Sequence, residues 1–376
     1  MFRQLQERGN KLWYVICPWD IFPYKPVYYP KYPVNYLNTK NPGKITVKKV
    51  VKLAAFLLIA FLLPLIGLFS QAFTSDTTVN FILFGIQAAS PTIAAIVVLL
   101  FSGELIPHLG RTFRRGYSIS ALIVPFLFVT ITMLVSKLIY CGISGNAFSA
   151  GDVSSQLFVI FWSLIAEELG WRGFLEPMLK QFRINAFVVP GITGLVWSLW
   201  HYHYFLQNRM EIPILLFALG CIIESYLYSY FVRVMNSVLA AMSLHFSWNL
   251  MIHVFLLNPS DNNGSILPYA ILIIIEAVEL IAIVAVTAIG YVRCVNEYIN
   301  SPKMHLRMQD IRLLLYLKGY FLNPRNMTET EELGNLEDAF SSDDPEIRKR
   351  KIKQFNNGEF DTIPLAPPTT MRILDN

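Results

Sequence analysis

Four stretches of this chain carry no charged residue over a length sufficient to cross a lipid bilayer: Leu53–Ser75, Thr77–Gly103, Gly116–Ser136 and Val234–Ser260. A hydrocarbon core of about 30 Å takes roughly 20 helical residues, and lipid offers the backbone no hydrogen-bond partner, so runs of this kind are read as spanning helices. Four further runs reach that length only when polar residues inside them are accepted: 154–180, 184–206, 212–232 with Glu224, and 265–292 with Glu276 and Glu279. The expected fold is therefore all-α: a polytopic membrane protein of about eight transmembrane helices over residues 51–293. Composition agrees, since 54% of the 376 residues are hydrophobic and 15% charged, against roughly 45–50% and 25% in soluble domains.

Eight spans return the chain to its starting side, and the positive-inside rule tests this independently. Of the 31 Lys and Arg residues, twenty-nine fall on the side of the termini and two, Lys137 and Arg209, on the other. Both termini are thus expected in the cytoplasm, with the plasma membrane of a prokaryote as the location. The formal charge of +5 follows from cytoplasmic basic residues that meet anionic lipid head groups, and no nucleic-acid motif is present. The first 45 residues lack an apolar stretch, so no cleavable signal peptide is expected. Cys17, Cys141, Cys221 and Cys294 are too scattered for a CxxC metal site or a disulfide framework.

Outside the spans, the arm at 1–50 contains ICPWDIFPYKPVYYPKYPVNY, whose prolines exclude a helix and whose aromatic rings suit the membrane interface. In the tail at 294–376, LRMQDIRLLLYLKGYF (306–321) has helical apolar spacing and is expected to rest on the membrane surface. The acidic and then basic block ETEELGNLEDAFSSDDPEIRKRKIK is expected to be disordered or regulatory.

Ionisable groups at bilayer depth cost at least about 2.5–3.5 kcal/mol and mark functional sites by default. This chain places Glu167, Glu168 and Arg172 on the fourth run, His201 and His203 on the fifth, and Glu224 on the sixth. His245, Asn249 and His253 fall on the seventh, with Glu276 and Glu279 on the eighth. Glu168 and Arg172, four apart, stack on one helix face as an ion pair, while Glu167 is rotated by about 100° and left free. His245 and Asn249 share a face, whereas His201 and His203 diverge. At about 1.5 Å per residue from the cytoplasmic ends, Glu167, His201, His245 and Asn249 lie at roughly 20, 25, 14 and 20 Å, near one level. His203 and His253 read as hydrogen-bonded structural histidines.

The segments EELGWRGFLEPML, WSLWHYH and NSVLAAMSLHFSWN resemble, in order, the three blocks of the CPBP family of intramembrane proteases, related to CAAX-processing and bacteriocin-processing enzymes. The resemblance covers roughly residues 155–255 and includes Trp197, where many members have Phe. It implies a CAAX-protease-like helical bundle and an endopeptidase in which Glu167, His201, His245 and Asn249 surround a water that attacks a peptide carbonyl. Glu167 would be the base, His201 and His245 would ligate a metal or bind the oxyanion, and Asn249 would add a donor. Glu168 and Arg172 would hold the helix and its electrostatics. Both a divalent metal, zinc by donor type on His201, His245 and Glu167, and metal-free activation of water stay open.

The expected substrate is a small peptide or a lipid-linked protein, with membrane lipids as surroundings. Two alternatives stand beside the protease: an ion-coupled transporter using Glu224, Glu276 and Glu279, and a non-catalytic scaffold or immunity protein.

Overall fold

The computed structural model describes residues 46–114, 119–182, 184, 187–235, 237–300 and 342–356, and among them every regular element is a helix. The aromatic arm and the segment at 306–321 lie outside the described residues. In chain order the elements begin with α1 (Val47–Phe73), α2 (Thr77–Ala88), α3 (Ser90–Phe101), α4 (Leu105–Arg114) and α5 (Ser120–Ser144). A broken stretch follows, made of α6 (Leu157–Ala166), α7 (Glu168–Gly170), a π turn (Trp171–Leu175) and α8 (Glu176–Gln181). Then come α9 (Val188–Trp200), α10 (Tyr202–Leu206), α11 (Ile214–Met235), α12 (Val238–Val254), α13 (Leu267–Asn300) and α14 (Pro345–Asn356).

Among the described residues each of the eight predicted runs contains helix, but only four single helices are long and apolar enough to span: Val47–Phe69, Ser120–Ser144, Ile214–Met235 and Leu267–Ile289. The run at 77–103 is bent by 64° between α2 and α3, and α12 is a shorter apolar helix. Leu58, Ile131, Leu138, Ile274 and Val278 are exposed on the long helices, as expected of faces that meet acyl chains. The protein is an integral membrane protein. Lys137, predicted in an outer loop, instead lies buried within α5. The helix continues past it until Gly145, whose φ of 72° ends the helix in the left-handed region. The Lys137 stem lies along the protein and its Nζ sits 5.7 Å from the Tyr140 ring.

Helix ends are set by local chemistry. Asp76 Oδ1 accepts from the N–H groups of Thr78 and Val79 at 2.8 and 3.0 Å and starts α2, and the Ser237 side chain caps α12. Within α1, Pro64 has no N–H to offer the carbonyl of Ala60. That carbonyl accepts instead from Ser90 Oγ at 2.9 Å and from Trp200 Nε1 at 3.1 Å. One proline thereby ties α1 to α3 and to the end of α9. Gln87 Nε2 donates to Pro64 O at 3.0 Å and Tyr202 Oη to Phe61 O at 2.7 Å, which extends the seam.

The basic half of the tail block, expected to be disordered or regulatory, is helical as α14. Asp344 Oδ1 accepts from Glu346 N–H at 2.8 Å at its start, and the Arg348 guanidinium donates to Ile299 O at 3.0 and 3.3 Å. These bonds satisfy a carbonyl near the C-terminus of α13 and leave Arg348 fully buried.

Candidate active site

The segment that carries EELGWRG is not a continuous helix. α6 stops at Ala166, and Glu167 leaves helical geometry with φ −121° and ψ −43°. The chain then re-enters the helix at Glu168 and passes through the π turn Trp171–Leu175. Such interruptions cluster at functional sites because they re-aim side chains. Thr92 Oγ1 donates to Ile165 O at 3.1 Å, and a Cβ on Gly170 would lie 2.5 Å from the Pro91 backbone. Here only glycine lets the broken segment lie against the start of α3.

The break separates the two glutamates. Both oxygens of Glu168 lie 3.0 Å from Arg172 Nη1, the ion pair that the four-residue spacing predicts. Arg172 also donates to Ser225 Oγ at 3.1 Å and lies 4.7 and 4.6 Å from the Trp197 and Tyr228 rings. Both charged side chains are fully buried. Glu167 turns elsewhere: its Oε2 accepts from Trp197 Nε1 at 2.7 Å and from Trp171 Nε1 at 3.4 Å, leaving Oε1 3.8 Å from His245 Nε2.

The two histidines are anchored alike. His201 Nδ1 lies 2.8 Å from Trp197 O, and His245 Nδ1 lies 2.8 Å from Glu168 Oε1. A carbonyl or carboxylate oxygen accepts, so in each ring Nδ1 carries the hydrogen and Nε2 is left for chemistry. Glu168 is therefore more than the partner of Arg172: it orients His245 from a position 77 residues away.

Glu167, His201, His245 and Asn249 all line one cavity of about 370 Å³. The divergence of His201 from His203 is seen directly: His203 is buried, donates from Nδ1 to Trp200 O at 2.9 Å and does not line the cavity. His253, read as structural, does reach the cavity wall, with Nδ1 3.3 Å from Asn258 Nδ2. Glu224 lines the same cavity, whereas Glu279 lies on α13 and accepts from Thr132 Oγ1 at 2.7 Å. Glu276 borders a separate small void that Glu224 shares. The three carboxylates grouped as a transport relay are thus not together: Glu224 lines the cavity, Glu276 only the small void, and Glu279 neither.

Sequence reasoning noted Trp197 only as an aromatic exchange. Its indole N–H, which Phe would lack, is the closest donor to Glu167. Spacing offers a signal, since Trp197 and His201 are four apart and share a helix face. The donor types of His201, His245 and Glu167 suit zinc, and both rings show the anchored Nδ1 usual for metal ligands. Yet among the described residues no three His, Cys, Asp or Glu side chains are placed to hold a metal ion.

Residues 149–251 match the family model described as type II CAAX prenyl endopeptidase Rce1-like. Every residue of the cavity constellation lies in that segment. This segment is similar to the Rce1-like family. Over 95 residues, 23% of this chain, the sequence is 33% identical to CAAX prenyl protease 2 of Methanococcus maripaludis, and the match spans 35% of that protein's length. The matched segment thus coincides with α6–α12, while α1–α5 and α13–α14 lie outside it.

Proposed function

We propose that the protein is an intramembrane endopeptidase that hydrolyses a peptide bond in a small peptide or lipid-linked protein. The observation that carries this reading is the free Oε1 of Glu167, 3.8 Å from His245 Nε2, in a buried cavity while Oε2 is held by two indole N–H groups. A carboxylate so fixed cannot swing away, and with little bulk water around it acts as a stronger base.

In this reading Glu167 Oε1 takes a proton from a water molecule as the water oxygen attacks the substrate carbonyl carbon. The proton then passes to the amide nitrogen as the C–N bond breaks, releasing a carboxylic acid and an amine. With Nδ1–H committed to Trp197 O, neutral His201 offers Nε2 as an acceptor that orients the attacking water. Asn249 supplies a neutral N–H donor for the oxyanion, and His245, backed by the Glu168 carboxylate, can donate once protonated. Zinc held by Glu167, His201 and His245 is the competing arrangement; it requires these side chains to draw together around the ion.

The substrate class follows from the similarity to the Rce1-like family and to CAAX prenyl protease 2 of Methanococcus maripaludis. A plasma-membrane location with both termini cytoplasmic is proposed from the distribution of Lys and Arg. Comparative peptidomics of membranes bearing the intact protein or Glu167→Gln tests the reading. The expected result is a set of fragments present only with Glu167; identical fragment sets would remove the proposed mechanism.

A further inference from the structure

Glu224 takes no part in the steps above, yet it is a buried acid at the cavity wall. It sits on α11 with 4% of its surface exposed and lines both the cavity of about 370 Å³ and the void of about 10 Å³ behind it. Among the described residues no hydrogen bond or ion pair reaches its carboxylate. The basic groups around it are already engaged, Arg172 with Glu168 and Ser225 and His245 with Glu168 and Glu167. Across the small void stands another acid, Glu276, whose Oε2 also has no partner. A carboxylate at this depth is costly without a counter-charge or donors.

The open side of Glu224 is the cavity. The cavity wall also carries Phe217, Tyr228 and Trp248, and the last two share the small void with Glu224. Rings beside a buried acid form the kind of pocket that receives an organic cation, through charge pairing and attraction to the ring faces. Arg172 already uses one side of this arrangement, lying over the Tyr228 ring at 4.6 Å.

We infer that Glu224 makes the inner wall of the cavity a specificity subsite for a cationic group, a lysine or arginine side chain of the peptide, close to the scissile bond. This inference rests on the proposed hydrolytic reading for the identity of the ligand as a peptide. The subsite lies beside the catalytic group and does not itself move protons in the reaction.

The test is binding, separated from turnover. Full-length protein carrying Glu167→Gln, reconstituted in lipid nanodiscs, is offered an oriented library of apolar peptides with lysine, norleucine or glutamate at each scanned position. At one position, lysine peptides are expected to be retained at least about tenfold over norleucine peptides, and glutamate peptides least. Adding Glu224→Gln brings the lysine-to-norleucine ratio close to one, and Glu224→Asp restores part of the preference, which shows that charge rather than folding is responsible.

No preference for lysine, no binding at all, or a preference that survives Glu224→Gln would overturn the inference. The same library incubated with the Glu167-intact protein separates the two readings. Peptides that are bound through Glu224 but left uncut would sink hydrolysis and keep the subsite; peptides cut equally well with lysine or norleucine would sink the subsite and keep hydrolysis.

Discussion

Replacing Arg172 by Met removes the counter-charge of Glu168 while keeping most of the side-chain volume. Glu168 is fully buried, and the loss leaves it only the bond from His245 at 2.8 Å. Stranding one member of a buried ion pair costs about 3–5 kcal/mol, or roughly 6–10 °C in Tm at the lower slope that large domains show. Replacing both partners, as Glu168→Met with Arg172→Met, removes the stranded charge; Glu176 keeps Lys180 at 4.0 Å. More than half of the lost stability is expected to return in the double variant.

Activity is expected not to return, because His245 has lost the carboxylate that fixes its tautomer, a loss on the order of 10²–10⁴-fold. Thermal unfolding in detergent measures the first quantity and cleavage rate the second. A double variant as unstable as Arg172→Met alone, or one with restored cleavage, would refute the assignment of Glu168 to two roles.

Trp197→Phe keeps the ring and deletes the 2.7 Å donor to Glu167; a hydrogen bond to a charged group is worth about 1.5–3 kcal/mol, so kcat should fall roughly 10- to 100-fold with KM held, and an unchanged kcat counts against the oriented base. Gly170→Ala places a methyl group 2.5 Å from the Pro91 backbone and should destabilise by about 1–3 kcal/mol, seen as a lower Tm, whereas Gly142, with open space around it, should accept Ala with no such penalty. Treatment with a zinc chelator is expected to leave cleavage unchanged; loss that zinc alone reverses would instead place the ion among Glu167, His201 and His245.

Much of this architecture is legible without coordinates because lipid imposes strict rules. Charge-free length locates the long helices, and the four-residue spacing of Glu168 and Arg172 forces the pair that is found. What the sequence hides is where helices stop. EELGWRG contains no proline, and nothing in its spacing announces the break at Glu167 or the π turn after it. Both lie where the segment packs closely against α3 at Gly170. The bond from His245 to Glu168 likewise joins two blocks by tertiary contact alone. Glu224 was grouped with Glu276 and Glu279 because all three are acids in apolar runs; only the direction of the side chain distinguishes the one that meets the cavity.

The cavity wall also includes Arg209, Glu211, Asn258 and Ser260, which belong to the connections before α11 and after α12. Those connections lie at the same end of the helix pair, so polar side chains join the cavity wall from that end. Under the proposed hydrolytic reading, reagents confined to one face of a sealed vesicle are expected to reach the chemistry while the same reagents on the other face are not.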